Sequence, residues 1–133
     1  MNQRTSGHNW EREVVKELAT LLNLTPDEIG TTRMNSRKMD NDGIDIWFKN
    51  PIGVDFQCKE KTTRSKDLMP IDASYIDYMK SDQEKAILFK TYRNTETSKR
   101  RKITGRFAVI ELEWFKELLV LWLQKNNSEP ING

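Results

Sequence analysis

Four polar residues stand where a small protein would be expected to place packing side chains: Glu11, Asp45, Gln57 and Lys59. Three of them fall in the stretch DNDGIDIWFKNPIGVDFQCKEK, residues 40–61. β-Branched and aromatic residues dominate it, and Asn50-Pro51-Ile52-Gly53 supplies turn chemistry, so the stretch reads as a hairpin. Side chains alternate between the faces of a strand. Ile44, Ile46 and Phe48 therefore share one face, and Asp45 and Trp47 the other. On the second strand Val54, Phe56 and Cys58 share a face, opposite Asp55, Gln57 and Lys59. With the apolar faces turned to the core, Asp45, Gln57 and Lys59 converge on the outer face, since paired strands are only about 4.8 Å apart. Asp55 shares that face and is either an added negative charge or a solvated strand-edge acid.

Glu11 adds a carboxylate from the first helix. It precedes Val14 and Val15 by three and four residues and Leu18 by seven, so it lies on or beside the apolar stripe, whereas Glu13 and Glu17 belong to the solvated face. An acid on a core-facing stripe is costly unless paired or bound to a cation. Glu11 is thus either ion-paired, with Arg12 or Lys16 the nearest candidates, or a cation ligand. Two carboxylates and an amide oxygen are hard donors of the kind that select Mg²⁺, with Mn²⁺ as a substitute. Such a cation polarises a phosphodiester and acidifies bound water, and a lysine beside that water orients it. No Gly-rich phosphate loop is present, which argues against a nucleotide cofactor. Cys58 is expected as a small core residue, with the lone histidine, His8, too far away across a helix start to activate it. One Cys and one His cannot build a zinc site without carboxylates.

The elements that must position these groups follow from periodicity. Residues 9–23 have a helical stripe of Val14, Val15, Leu18, Leu21 and Leu22. Residues 25–28 form a turn or a short helix start, and 30–42 is a polar segment. After the hairpin, 62–70 is a basic polar loop and 72–81 a short helix capped by Asp72. Residues 85–92 and 106–111 are strands, separated by a loop over 93–104. Residues 112–125 form a final helix, apolar on nearly every side through Trp114, Phe115, Leu118, Leu119, Val120, Leu121, Trp122 and Leu123. That helix is either the central core helix or the interface of a two-fold homodimer. The sum is an α/β (α+β) fold, a mixed sheet flanked by helices, in one domain over residues 1–133 with a core of roughly 7–124 and a polar tail at 125–133. With 36% hydrophobic and 32% charged residues and a net charge of +2, the chain is neither disorder-like nor basic enough to imply nucleic acid by bulk charge. A single cysteine and a polar start lead to the expectation of a cytoplasmic protein. No apolar run spans a bilayer.

The arrangement resembles the PD-(D/E)XK nuclease superfamily: an acid on one strand, Asp45, an eleven-residue gap over 46–56, then Gln57-Cys58-Lys59, with Glu11 on the preceding helix. Within it the chain is most similar, over roughly residues 5–120, to the archaeal-type Holliday junction resolvases. Gly7 followed by Glu11-Arg12-Glu13, the loop RMNSRK before DGIDIW, and the strands KAILFKTY and FAVIELEWF carry that likeness. Gln57 departs from it, because those resolvases usually have glutamate there. A Gln-x-Lys form is similar instead to the Mrr-type restriction endonuclease branch. The resemblance implies a restriction-endonuclease-like core and a Mg²⁺-dependent DNA endonuclease cutting four-way junctions as a homodimer. Glu11, Asp45, Gln57 and the Cys58 carbonyl would hold the metal and Lys59 would position the water. It also implies DNA contacts for Arg12 and Ser36.

Charge patterning extends the DNA reading. Residues 93–102 hold Arg93, Lys99, Arg100, Arg101 and Lys102 against Glu96 alone, and Arg106 follows. Arg33, Arg37 and Lys38 precede the hairpin; Lys61, Arg64 and Lys66 follow it. Clustered cations contact phosphates and release counterions; the alternative is a set of solvated basic loops. No recognition-helix pattern is present, so backbone and shape readout is expected.

Overall fold

The computed structural model describes residues 3–64, 67–69, 71–94 and 101–128. Lys66, Lys99, Arg100 and tail residues 129–133 lie outside them.

Helix α1 (Gln3–Leu22) begins six residues before the boundary read from periodicity. Trp10 and Val14 are buried, with Val15, Leu18 and Ala19 packed beside them. The stripe ends there: Leu21 is 75% exposed and Leu22 is exposed too, because the helix runs past the sheet it covers. Asn23 ends the helix at φ 56, a left-handed conformation that asparagine tolerates. Its N–H donates to the Thr20 carbonyl and that of Leu24 to the Ala19 carbonyl, the paired bonds of a Schellman stop.

The polar segment 30–42 contains more structure than its composition signals. Strand β1 (Ile29–Thr31) precedes two short helices, α2 (Thr32–Asn35) and α3 (Arg37–Asn41). Ser36 caps α3, its Oγ accepting from the Met39 N–H at 3.3 Å. Gly43, at φ 80, stops α3 with the same pair of bonds, Gly43 N to Asp40 O and Ile44 N to Met39 O. Strand β1 then pairs antiparallel with β2 (Ile46–Phe48).

The hairpin expectation is corrected here. Strand β3 (Val54–Thr63) does not form a ladder with β2; it runs parallel to β4 (Glu84–Asn94), and β4 pairs antiparallel with β5 (Arg101–Ile110). The molecule therefore has a two-stranded sheet β1-β2 and a mixed three-stranded sheet β3-β4-β5. One main-chain bond, Asp45 N–H to Phe56 O at 2.8 Å, joins the two at the site. Residues 50–53 bend without a hydrogen-bonded turn, Gly53 standing at φ 92, and the connection leads into another sheet. The crossover from β3 to β4 carries a 3₁₀ helix (Ala73–Tyr78), in the place of the short helix expected over 72–81. Asp72 caps it, accepting from the Ser74 N–H at 2.9 Å. Strands β4 and β5 also claim both ends of the expected loop 93–104.

Trp10, Val14, Ile29, Ile46, Phe48 and Cys58 form one core, between α1 and the sheets. Ile76, Ile87 and Phe89 form a second, under the 3₁₀ helix. Helix α4 (Leu112–Ser128) joins neither, and over residues 112–127 only Trp114 is half-buried. It is not the central core helix. Both cores are already filled by α1 and the 3₁₀ helix, and α4 carries Leu118 to Leu123 exposed to solvent.

Candidate functional site

Glu11 lies within α1 and is 4% exposed. Both carboxylate oxygens are engaged: Arg33 Nε donates to Oε2 at 3.1 Å and Nη2 to Oε1 at 3.3 Å. The partner expected from spacing was Arg12 or Lys16; α2 supplies Arg33 instead, because folding of 29–35 against α1 brings it closer than any group on the helix itself. Glu13 and Glu17 are not simply solvated either. Glu13 accepts from Lys90 Nζ at 2.7 Å, and Glu17 pairs with Arg106.

Asp45 precedes β2 and is tied on three sides. Its carbonyl accepts from the Thr32 N–H at 3.0 Å, its N–H donates to Phe56 O, and its Oδ2 accepts from the Cys58 N–H at 2.7 Å. Burial pushes its pKa up to about 6, opposed by the Cys58 hydrogen bond. The Glu11 carboxylate adds to the rise, while Lys59 and Arg33 oppose it. Two acids and two cations thus act on one another around Asp45. Buried Thr32 braces the segment, its Oγ1 donating to the Ile44 carbonyl at 2.6 Å.

Gln57 is buried, whereas strand alternation had placed it on an open face. Gly43 lies against its amide. A Cβ on Gly43 would stand 3.5 Å from Gln57 Nε2 and 2.9 Å from the Tyr78 carbonyl, so glycine is required there by space as well as by φ. Gln57 Oε1 is buried with no hydrogen-bond partner among the described residues. Lone pairs in that state are costly unless something fills them.

Lys59 directs its amine over the Tyr75 ring, 4.7 Å from the centroid, and Lys61 takes the same ring at 4.9 Å while donating to Tyr75 Oη at 2.8 Å. Tyr75 is the contact of Lys59 and Lys61 that the sequence did not signal. It reads there only as an aromatic residue in a short helix, and its meeting with two lysines depends on the crossover. Cys58 is buried with its thiol pKa pushed well above the ordinary value by burial, which fits the core role and not a nucleophile. Asp55 turns away to bond Ser81 Oγ, on the wall of a separate cleft, and so adds no charge to the site.

Glu11, Asp45 and an orphaned Gln57 oxygen suit a hard divalent cation in donor type. Among the described residues no group of three or more His, Cys, Asp and Glu could hold a metal, so a cation here depends on the amide and main-chain oxygens as well as the two acids.

The basic residues divide by location. Arg12, Arg33 and Arg37, with His8, line a cleft of about 470 Å³ against Glu11; Cys58 is not part of its wall. Lys38 pairs with Asp42 at 3.2 Å. Arg64 and Lys102 are exposed. Arg93 donates to the carbonyls of Arg64 and Asp67, and Arg101 stacks on Tyr92 at 3.6 Å. Arg106 faces α1, clamping β5 to Glu17 and Glu13.

Comparison of the chain with known family models, curated proteins and solved structures finds no match. No helix among the described residues is long and apolar enough to cross a membrane.

Proposed function

We propose that this chain is a Mg²⁺-dependent DNA endonuclease with a restriction-endonuclease-like core, acting as a Holliday junction resolvase. The observation that carries the reading is the buried, partnerless Gln57 Oε1, one residue from the N–H that fixes Asp45. A buried amide oxygen with its lone pairs open can accept a cation, or a water that the cation holds. The order of α1, the β1-β2 pair, β3, a crossover helix and β4 supports it further.

In this reading Glu11, Asp45, Gln57 and the Cys58 carbonyl hold the ion. When bound, Mg²⁺ or Mn²⁺ supplies charge to the phosphodiester and acidity to water. The protein's own residues do the rest. The Cys58 N–H and the Thr32 and Phe56 main chain hold Asp45 in one orientation. Tyr75 holds the Lys59 amine near Asp45, where its charge favours and orients hydroxide. Arg12, Arg37, Arg64 and Lys102 meet backbone phosphates. The exposed apolar side of α4 forms a two-fold contact that sets two sites against opposed strands, and the enzyme works in the cytoplasm.

The test is purified protein with a four-way junction or linear duplex, in Mg²⁺ or EDTA. Paired symmetrical nicks on the junction, dependent on Mg²⁺, are expected. Equal cutting of plain duplex would instead favour an Mrr-like or general nuclease.

A second reading has its own observation. Arg33 occupies both oxygens of Glu11, and position 57 lacks a charge, as in a junction-binding module that has lost its metal. Mn²⁺ calorimetry separates the two: no metal binding with junction affinity intact selects the module.

A further inference from the structure

The Glu11–Arg33 pair and the cleft beside it make one device. Each oxygen of Glu11 accepts from one prong of the Arg33 guanidinium, so the carboxylate has little left to offer a cation. Glu11 is almost wholly buried, while the Arg33 side chain is 40% exposed. The acid is therefore enclosed, while the arginine reaches solvent. Arg33 also lines the 470 Å³ cleft with Arg12, Arg37 and His8. Asp40 and Glu11 are the acids on that wall, and Glu11 is the one that Arg33 neutralises. A phosphate entering the cleft would meet Arg12 and Arg37 and would offer Arg33 a second anion of matching geometry.

We propose that this cleft is a subsite for a DNA backbone phosphate, and that Arg33 passes from Glu11 to that phosphate when DNA binds, releasing Glu11 to the metal. The proposal rests on the metal-dependent reading above. Free protein then binds metal weakly, because Arg33 competes for Glu11. Bound DNA removes the competitor. Linkage requires the reverse as well: metal strengthens DNA binding by the same factor. The nuclease is thus kept short of metal until a substrate phosphate is in place. The same pair that favours an inactive module in a static view becomes the gate of an active enzyme.

The experiment is Mn²⁺ calorimetry on the full chain, free and saturated with a four-way junction, with the heats of DNA alone subtracted. Lys59→Ala is present throughout to keep the DNA uncut. Arg33→Gln is compared with Arg33. Without DNA, Arg33→Gln should bind Mn²⁺ about tenfold more tightly, inside the ~5–150-fold range of ordinary site-to-site coupling. The junction should raise affinity by a similar factor in the Arg33 protein and not in Arg33→Gln. Arg33→Lys, which keeps a charge without the two-pronged fit, should fall between them. Arg33→Gln should also melt lower in EDTA, with Glu11 left buried and unpaired, and regain that loss in Mn²⁺. Equal Mn²⁺ affinities without DNA, or an equal gain with DNA in both proteins, would overturn the coupling while leaving the metal site standing. If neither protein binds Mn²⁺ under either condition, the metal-dependent reading fails and the coupling with it.

Discussion

Asp45→Asn separates a site built for a cation from a merely structural acid. In the native protein burial, the largest influence, lifts the Asp45 pKa to about 6, from an ordinary 3.8. The native state therefore holds the proton more tightly than the unfolded chain does. The associated stability is full below pH 3.8 and is lost as the pH rises through about 6. The gap corresponds to about 3 kcal/mol, at roughly 1.4 kcal/mol per pH unit. Above pH 6 the buried carboxylate costs the fold that amount. Asparagine has the same shape, has no charge to desolvate, and keeps an oxygen for the Cys58 N–H. In EDTA at pH 7.5 Asp45→Asn should be the more stable protein, by at least ~1 and at most ~3 kcal/mol. At pH 4.5 linkage reduces that advantage to about a third of its value. Urea denaturation at both pH values in EDTA measures it. Adding Mg²⁺ should reverse the order, because a ligand that binds the native state stabilises only the protein able to hold it. An Asp45→Asn protein less stable than the parent at pH 7.5 in EDTA would refute the reasoning. It would mean that the carboxylate is held by its neighbours for stability, not kept at a cost for a cation.

Three further outcomes test the surrounding structure. Gly43→Ala should lower stability by about 1–3 kcal/mol, the usual cost of a forced backbone conformation, because its Cβ would meet the Tyr78 carbonyl at 2.9 Å and its φ is 80; chemical denaturation reads this directly. Tyr75→Phe keeps the ring under Lys59 and should retain most of the cleavage rate, whereas Tyr75→Leu removes it and should move the rate toward that of Lys59→Ala, with KM for DNA nearly unchanged; single-turnover kinetics compares the three. Leu121→Asp with Trp122→Glu changes two side chains that are each 61% exposed. The pair should leave the melting temperature of the monomer within a few degrees while shifting light scattering from dimer to monomer.

How much of this was legible in the sequence can be judged from particular residues. The burial of Ile46, Phe48 and Cys58 followed from alternation, since a strand has a period of two wherever it lies; that of Gln57, next to Cys58, did not, because both faces of β3 are covered there. The existence of α1, β3, β4 and α4 followed from runs long enough to show a period. Asp45 and Glu11 stood out because an acid among core residues needs a reason. Strand β1 gave no signal, because three residues cannot display a period and its partner lies far along the chain, Ile29 opposite Phe48. The hairpin was misread for a related reason. Turn chemistry determines that a chain reverses, not which neighbour the next strand will choose.

The sequence by itself determined the chemistry available: two acids, an amide and a lysine on defined strand and helix positions, and a thiol excluded from them. Only the tertiary structure decided who meets whom. Arg33, not Arg12, reaches Glu11; Tyr75 takes both Lys59 and Lys61; Asp55 turns to Ser81; and the most apolar helix of the chain is left outside the core. The physical reason is range. Periodicity and propensity act over a few residues, so they assign a side chain to a face. Ion pairs, cation–π contacts and packing act through space between segments far apart in the chain, and only the folded arrangement supplies those distances.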